Sequence, residues 1–286
     1  MKSPFYLENE TEYSLWKKKK LSLYPLDTKD ISLSLNIKNL SADKLKLLKK
    51  NIKNYNYVFY EFSSFITDED LQNFCSKLDL QNSISNLFSN ENGISNITNE
   101  LNLSKKDSRS EYIPYTNKSL NWHTDGYYYP RDKSVKSFLL HCVNPAEDGG
   151  VNLLLDHEII YIFLRDHNPD YINILMNNEI MEIPKNKNNK NSKTSSGPVF
   201  YIDRNGSLNM RFTSRQKNII WKKNDMIKKI KKYIFDFIAE DDVYVQHLLL
   251  KKNQGYLANN ILHKREEYFD GQNKRLIKRL RFSKRI

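Results

Sequence analysis

The spacing of apolar residues changes along the chain between a helical and a strand-like period, which indicates a mixed α and β protein. Apolar side chains fall on one stripe over 41–53, which predicts a helix with Ser41 as its N-cap. The apolar run 57–62 predicts a buried strand. Thr67, followed three residues later by an acid, predicts the start of a helix through Leu78.

The second half of the chain has the same mixed character. Asp156, Asn168 and Asn224 each precede a helical pattern, and Asn205-Gly206 lies between two apolar runs, as in a hairpin. The elements predicted here are strands at 137–143 and 151–155, helices at 157–164, from Pro169 and at 225–240, and a hairpin formed by 198–203 and 207–212. Helices and strands are interspersed, which is typical of an α+β fold.

Two polar stretches interrupt this pattern. Residues 80–112 are rich in Asn and Ser and have little periodicity, so we expect a long loop with short helical pieces. Residues 185–196 consist mainly of Lys, Asn, Ser and Thr, and we expect a mobile loop there because the segment has nothing to bury. The pattern leaves open whether this second loop is a lid or an exposed insertion.

Size and composition are typical of a globular enzyme. A chain of 286 residues with 39% hydrophobic side chains is long enough for one sizeable core, and we expect a single domain over 1–286. No apolar stretch approaches a membrane span, and the N-terminus lacks the apolar region of a secretion signal. Cys75 and Cys142 are too few for a disulfide framework, so a cytoplasmic location is expected.

The formal net charge of +12 supports a competing hypothesis, a nucleic-acid-binding protein. Lysine clusters at 17–20, 228–229 and 231–232 are candidates for phosphate contacts. However, lysine is spread over the whole chain, and global charge steers ligands without defining a site. Solvated helix faces are therefore the favoured interpretation of these clusters.

The segment Leu120-Asn-Trp-His-Thr-Asp-Gly contains the most informative chemistry. His123 and Asp125 are two residues apart, so on an extended segment both side chains point to the same side. With His263 they make two imidazoles and one carboxylate, the ligand set that holds Fe(II) on one face and leaves the other open. By itself the His-x-Asp spacing is a poor signal, and a surface histidine beside a turn aspartate is the favoured interpretation of it.

The run from His263 to Arg281 strengthens the metal hypothesis. Asp270-Gly271 predicts a hairpin turn, and the strand after it carries several arginines. A guanidinium beside a metal can hold a dicarboxylate through paired N–H donors, which a lysine does less well. The alternative is a solvated basic tail.

Three blocks together resemble the TauD/TfdA family of Fe(II)- and 2-oxoglutarate-dependent dioxygenases. They are Trp122-His-Thr-Asp-Gly, Gly149-Gly-Val-Asn-Leu-Leu-Leu-Asp and His263 through Arg279. The resemblance implies a double-stranded β-helix, or jelly roll, with flanking helices. Strand patterning alone would equally allow another sandwich.

The resemblance also implies roles for individual residues. His123, Asp125 and His263 match the iron ligands, and Arg275 matches the arginine that binds the distal carboxylate of 2-oxoglutarate. Arg279 matches a second arginine that contacts an anionic substrate in some members. Two residues depart from the family pattern. Asn152 stands where the family often has a threonine, and Asn259 stands where an aspartate is usual, which removes a charge near the metal.

The implied reaction is hydroxylation of a small molecule by O2, with 2-oxoglutarate converted to succinate and CO2. Tyr127, Asn117, Arg211 and Arg215 lie in segments that can face the pocket, and with Arg279 they are candidates for binding an anionic or zwitterionic substrate. A metal-binding jelly roll without turnover remains an alternative. Whether the chain forms a homo-oligomer stays open.

Overall fold

The computed structural model describes residues 2–25, 27–86, 88–99, 112–185, 193–240 and 243–286. Its helices are α1 Glu10–Leu23, α2 Ala42–Tyr55, α3 Asp68–Lys77, α4 His157–His167, α5 Pro169–Leu175 and α6 Asp225–Ala239. Its strands are β1 Ser32–Leu35, β2 Tyr57–Phe62, β3 Ser95–Ile97, β4 Leu120–His123, β5 Ser137–Asn144, β6 Asp148–Gly149, β7 Asn152–Leu155, β8 Met181–Ile183, β9 Ser195–Gly197, β10 Phe200–Ile202, β11 Leu208–Met210, β12 Ile220–Trp221, β13 Gln246–Leu248, β14 Gln254–Asn259, β15 Leu262–Arg265, β16 Tyr268–Phe269 and β17 Leu276–Phe282.

Two sheets form the centre of the molecule. Within the described ranges, the larger has six strands in the order β1-β2-β14-β5-β17-β3, and the smaller has four in the order β13-β7-β15-β4. Apart from the parallel pair β1 and β2, the pairings in both sheets are antiparallel. Phe138 of the larger sheet packs against His263 of the smaller, with ring centroids 4.7 Å apart. The two sheets therefore face each other around a shared interior, as the predicted jelly roll requires.

The buried hydrophobic residues of the described segments form two clusters. The larger fills the space between the sheets and continues under α4, α5 and α6. The smaller lies where α2 and α3 cover the outer face of the larger sheet, with Leu48, Ile52 and Phe74 fully buried. Both faces of the central strands are covered, which explains why β2 and β5 read as continuous apolar runs.

Several predicted elements are confirmed, together with the caps that begin them. The side chains of Ser41, Asp156, Asn168 and Asn224 each accept a hydrogen bond from the first turn of their helices. Thr67 and Asp70 form a reciprocal capping box at the start of α3. The hairpin of β10 and β11 is also present. Capping and turn interactions join residues that are close in the sequence, so they form in the same way after the elements pack together.

Helix α1 was not predicted, because its sequence has no apolar stripe. The structure attaches it through individual contacts, among them Tyr13, which is buried. The lysine cluster 17–20 was interpreted as a solvated face, and this is wrong for Lys20, which is 5% exposed. Its ammonium lies 2.5 Å from Asp156 Oδ2 and 2.6 Å from Glu158 Oε2.

Other expectations are corrected by the strand pairing. Asp270-Gly271 does not join a hairpin, since β16 before it pairs with β6 and β17 after it pairs with β5 and β3. The two sides of this turn belong to different sheets. Asp270 instead accepts a hydrogen bond from the amide of Arg275 at 2.7 Å. Strands β5 and β13 each carry a lone histidine in an apolar run, for which the sequence favours a core or pocket position. His141 of β5 is buried, whereas His247 lies on the exposed side of β13.

The two predicted loops are only partly covered by the structure. Residues 100–111 and 186–192, on which much of both predictions falls, lie outside the described ranges. Within the described part, Ser95–Ile97 forms a strand in the segment expected to be a loop. Strand β9 begins at Ser195 and pairs with β8, so the predicted 185–196 loop ends earlier than expected.

Candidate metal centre

The two candidate histidine ligands lie side by side on neighbouring strands. His263 of β15 pairs directly with His123 of β4, and their ring centroids are 4.2 Å apart. Nδ1 of His123 lies 2.8 Å from the carbonyl of Asn121, and Nδ1 of His263 lies 3.2 Å from the carbonyl of Ile261. A proton on Nδ1 donated to these carbonyls leaves the lone pair of each Nε2 available for a metal.

Asp125 follows β4 in a tight turn and brings a carboxylate to the same place. Its Oδ1 lies 3.3 Å from Nη1 of Arg279 and 3.7 Å from Nη1 of Arg281, and it accepts a hydrogen bond from Gly126 N. Its Oδ2 is buried and has no hydrogen-bond partner among the described residues. A buried carboxylate oxygen without a partner is costly, so this atom is the one available to a cation.

The protonation states suit metal binding. Burial lowers the pKa of His263 to about 3, with the neighbouring His123 acting in the same direction, and burial also lowers the pKa of His123. Burial alone would raise the pKa of Asp125, but Arg279, Arg281 and the two histidines outweigh it and lower that pKa to about 2. At neutral pH the site therefore offers two neutral imidazoles and a carboxylate.

The chemistry of these three side chains suits a divalent cation such as Fe(II). As the side chains stand, no group of three or more His, Cys, Asp or Glu residues in the described ranges is placed to hold a metal ion, and Asp125 is paired with Arg279. Yet Oδ2 of Asp125 has no partner, and the rings of His123 and His263 are held by their main-chain hydrogen bonds. The two histidines come from one pair of β-strands, and Asp125 comes from the turn beside it. Two imidazoles and one carboxylate are the donors that non-haem Fe(II) takes.

A cavity between the sheets contains both histidines and the predicted cosubstrate residues. It is lined by Ile97, Pro114, Leu120, His123, Leu140, Asn152, His263, Lys264, Arg265, Arg275, Ile277 and Arg279. Residues of both sheets and of the loop before β4 contribute. The fold therefore brings together side chains that are up to 182 positions apart, between Ile97 and Arg279.

Arg275 is fixed in this cavity by its neighbours. It is 4% exposed, and its guanidinium lies 5.0 Å from the ring centroid of Tyr268. Burial lowers its pKa from the ordinary value of an arginine, yet a guanidinium stays charged at neutral pH. Gly150 allows this packing, since a Cβ there would lie 3.2 Å from Cβ of Tyr268 and 3.6 Å from Nε of Arg275.

Asn152 lines the same cavity, but its amide is already engaged. Its Nδ2 donates to the carbonyls of Gly150 at 3.3 Å and Leu248 at 3.4 Å. To donate to a bound carboxylate, as a threonine hydroxyl would, it would have to exchange one of these bonds. Asn152 therefore lines the cavity, but its donors point to the main chain.

Arg265 is a cavity residue that sequence reasoning missed. It is buried, and its guanidinium donates to the carbonyls of Pro114, Thr116 and Lys118. These three carbonyls belong to the loop that precedes β4, so Arg265 fastens this loop to β15. In the sequence Arg265 is one basic residue among many, and no local signal distinguishes it.

The substrate candidates separate into two groups. Tyr127 and Arg215 lie next to the centre, because the Tyr127 ring meets the His123 ring edge-on at 6.2 Å and the Arg215 guanidinium lies 5.9 Å from the Tyr127 centroid. Arg211 does not face the pocket, since it donates to the carbonyls of Met181, Gly197 and Ser195. Asn117 lies in the adjoining loop, where its carbonyl accepts from Tyr268 N, and it does not line the cavity.

Arg281 and Asn260 also support Asp125, although the sequence did not single them out. Arg281 is 1% exposed and donates to the hydroxyl of Tyr128 at 3.1 Å. The sequence could have indicated Arg281, because it is two residues from Arg279 on the same strand and such residues project to the same face. The Asn259 side chain is not hydrogen-bonded to His123, Asp125 or His263, although its position next to the metal-ligand motif suggested a place near them. Its side chain contacts Asn56 and the amide of Ile286.

Comparisons with known proteins agree with this architecture. Residues 23–281 match the family described as "Taurine catabolism dioxygenase TauD, TfdA family". The fold is similar to that of a putative alpha-ketoglutarate-dependent taurine dioxygenase from Burkholderia xenovorans, at TM-score 0.62 and 11% identity over 88% of each chain. It is also similar to an asparagine oxygenase solved with Fe(II), 2S,3S-3-hydroxyasparagine and succinate, at TM-score 0.59 and 12% identity over 85% of this chain and 80% of that one.

A curated relative matches a shorter region. It is a uridine-5'-phosphate dioxygenase from a Streptomyces species, 29% identical over 79 residues. The match covers 28% of this chain and 28% of the relative's length.

The two opposed sheets form the jelly roll that these solved structures share. The chain belongs to the TauD/TfdA dioxygenase family. The predicted family and fold class are thereby confirmed. Among the described residues, no helix is long and apolar enough to cross a membrane.

Proposed function

We propose that this protein is an Fe(II)- and 2-oxoglutarate-dependent dioxygenase that hydroxylates a small anionic molecule. His123, Asp125 and His263 are the proposed metal ligands. The observation that carries this proposal is the partnerless Oδ2 of Asp125, buried beside two imidazoles whose Nδ1 atoms are occupied by main-chain carbonyls. When bound, Fe(II) with 2-oxoglutarate supplies the activation of O2, and succinate and CO2 are released.

Each neighbouring residue has a distinct part in this proposal. Arg275 binds the distal carboxylate of 2-oxoglutarate, since it is a buried guanidinium that lines the cavity and forms no ion pair within the described part of the chain. Arg279 donates a hydrogen bond to Asp125, and another of its N–H groups can donate to an anionic ligand. The apolar side chains of Leu120, Leu140 and Ile277 keep water from the reacting centre.

For the substrate, we propose an anionic group held near Tyr127. Arg215 is half-buried beside this ring, and its Nε has no hydrogen-bond partner in the ranges that the structure covers. Arg279 adds a second positive charge, 3.3 Å from the Asp125 carboxylate. The short match to a uridine-5'-phosphate dioxygenase adds phosphate monoesters to the sulfonates and carboxylates worth testing. We also propose that 1–286 acts as one domain, because residues of both sheets complete the cavity.

The proposal is tested by anaerobic titration with Fe(II) and then 2-oxoglutarate, monitored by the visible charge-transfer absorption of the ternary complex. The wild-type protein is expected to develop this absorption. Asp125→Ala should fail at the metal step, and Arg275→Ala should bind Fe(II) but require at least tenfold more 2-oxoglutarate, since it loses a charge-assisted pair.

Arg131→Ala is the matched control for the loss of a guanidinium. Arg131 lies on the surface, where it donates to the carbonyl of Ile202, and its removal should leave both titrations unchanged. If the wild-type protein binds no Fe(II), the metal proposal is wrong. If it binds Fe(II) and 2-oxoglutarate but releases no succinate with any substrate tried, the protein is a metal-binding jelly roll without turnover.

A nucleic-acid-binding role gives a different result. Binding to DNA or RNA would weaken steeply with salt and would be unaffected by His123→Ala, because exposed lysines would carry it. Succinate release that depends on both His123 and an added small molecule would exclude that role as the source of the activity.

A further inference from the structure

The hydroxyl group of Tyr256 is buried without a partner beside the proposed site. Tyr256 is 0% exposed, and its hydroxyl forms no hydrogen bond with any residue that the structure describes. Buried hydroxyl groups normally find a partner, because an unpaired one costs free energy relative to water. Such an atom near a ligand cavity is available to a ligand.

Strand pairing directs this side chain towards the cavity. Tyr256 of β14 pairs with Leu140 of β5, and Leu140 pairs in turn with Arg279 of β17. Directly paired residues project to the same face of a sheet. Leu140 and Arg279 both line the cavity, so Tyr256 extends the same row by one strand.

The aromatic neighbours hold the Tyr256 ring in place. Its ring centroid lies 6.3 Å from that of Phe59 and 5.7 Å from that of Phe138, both in edge-on contact. Phe138 also packs against the ring of His263. The hydroxyl is therefore presented from a rigid position, which reduces the entropy lost when it donates to a ligand.

The charges around this hydroxyl are those of the cosubstrate site. Burial raises the pKa of Tyr256 above its ordinary value, Asp125 raises it further, and Arg275 and Arg279 act in the opposite direction. The hydroxyl is therefore protonated at neutral pH and lies within the electrostatic reach of both arginines. A neutral hydrogen-bond donor near two guanidinium groups is suited to binding a carboxylate.

We infer that the Tyr256 hydroxyl donates a hydrogen bond to a carboxylate of 2-oxoglutarate. This inference rests on the proposed function. It also accounts for Asn152, whose amide donors are engaged with the carbonyls of Gly150 and Leu248. Tyr256 supplies the hydroxyl donor that a threonine at position 152 would provide.

The test is calorimetric binding of 2-oxoglutarate to the Mn(II)-loaded protein, for the wild type and Tyr256→Phe. The variant is expected to raise the Kd for 2-oxoglutarate about tenfold, the effect of losing a hydrogen bond to a charged group. The Kd for Mn(II) should stay unchanged. The Tm of the metal-free, ligand-free protein should stay the same or rise, because the lost hydroxyl had no partner there.

Tyr60→Phe is the matched control, since the Tyr60 hydroxyl donates to the carbonyl of Leu140 at 3.2 Å. Its loss should lower the Tm and leave the Kd for 2-oxoglutarate unchanged. An unchanged Kd in Tyr256→Phe, or a lowered Tm of its ligand-free form, would overturn the inference. If the wild-type Mn(II) protein itself binds no 2-oxoglutarate, the proposed function fails, and the inference fails with it.

Discussion

The side chain of Asn260 forms hydrogen bonds with both the main-chain amide and the main-chain carbonyl of Asp125. Its Oδ1 accepts from the Asp125 amide at 2.7 Å, and its Nδ2 donates to the Asp125 carbonyl at 2.9 Å and to the Val135 carbonyl at 2.7 Å. Asp125 lies in a turn after β4, where no strand partner would otherwise hold its backbone. Asn260 therefore fixes the position of the proposed carboxylate ligand without touching the carboxylate.

Asn260→Ala is expected to weaken metal binding about 10- to 100-fold, the usual effect of removing a group that orients a ligand. Calorimetry with Mn(II) measures the change. Asn259→Ala is the control, because Asn259 contacts Asn56 and Ile286 and not Asp125. Equal loss of metal affinity in both variants would show that Asn260 acts only through general stability.

Lys20→Met should destabilise the protein by about 3–5 kcal/mol, as expected when one partner of a buried ion pair is removed. The ammonium of Lys20 lies between Asp156 and Glu158, and its loss removes the cation that pairs with both buried carboxylates. Urea unfolding measures the difference.

Lys17→Met provides the comparison on the same helix. Lys17 pairs with Asp166 at 2.9 Å, with side chains 30% and 41% exposed. Exposed pairs of this kind contribute at most about 1 kcal/mol. Similar losses for the two variants would contradict the distinction between the buried and the exposed pair.

Acid should destabilise the protein partly through Glu158. Burial alone would raise the pKa of Glu158, but Lys20, His157 and Arg285 outweigh burial and lower this pKa to about 2. Lys20 also forms an ion pair with Asp156. A carboxyl group with a lowered folded-state pKa stabilises fully above its ordinary value of 4.5, and this contribution is lost as the pH falls towards about 2.

The measurement is urea unfolding of the wild type and Glu158→Gln between pH 5.5 and pH 2.5, a window of about three units around these pKa values. The wild type is expected to lose its advantage over the variant as the pH falls. A difference between the two proteins that stays constant across this window would be inconsistent with the lowered pKa.

Arg265→Gln should loosen the loop before β4. The guanidinium of Arg265 donates to three carbonyls of this loop, and glutamine cannot replace them all. Hydrogen exchange of amides in 112–119 should become faster, while exchange in β5 should not change. Lys264→Gln is the control, because Lys264 lies beside Trp122 and does not contact the loop carbonyls. Unchanged exchange in 112–119 would show that other contacts hold the loop.

The sequence by itself determined the local elements and the identity of the candidate ligands. Helix caps such as Ser41 and Thr67, and the Asn205-Gly206 turn, act over a few residues, so a local pattern is enough to predict them. The order of the motifs around His123, Gly149 and His263 was sufficient for the family and thus for the jelly roll.

Only the tertiary structure decided which residues support that site. Strand register places Tyr256 in one row with Arg279, and Asn260 reaches Asp125 across 135 positions. Helix α1 has no apolar stripe and is held by Lys20 in a buried charge cluster. The same pairing separates β16 from β17 at Asp270-Gly271, where the local signal favoured a hairpin. Such contacts join residues far apart in the chain, so no short-range pattern encodes them, and only the packing of the two sheets brings them together.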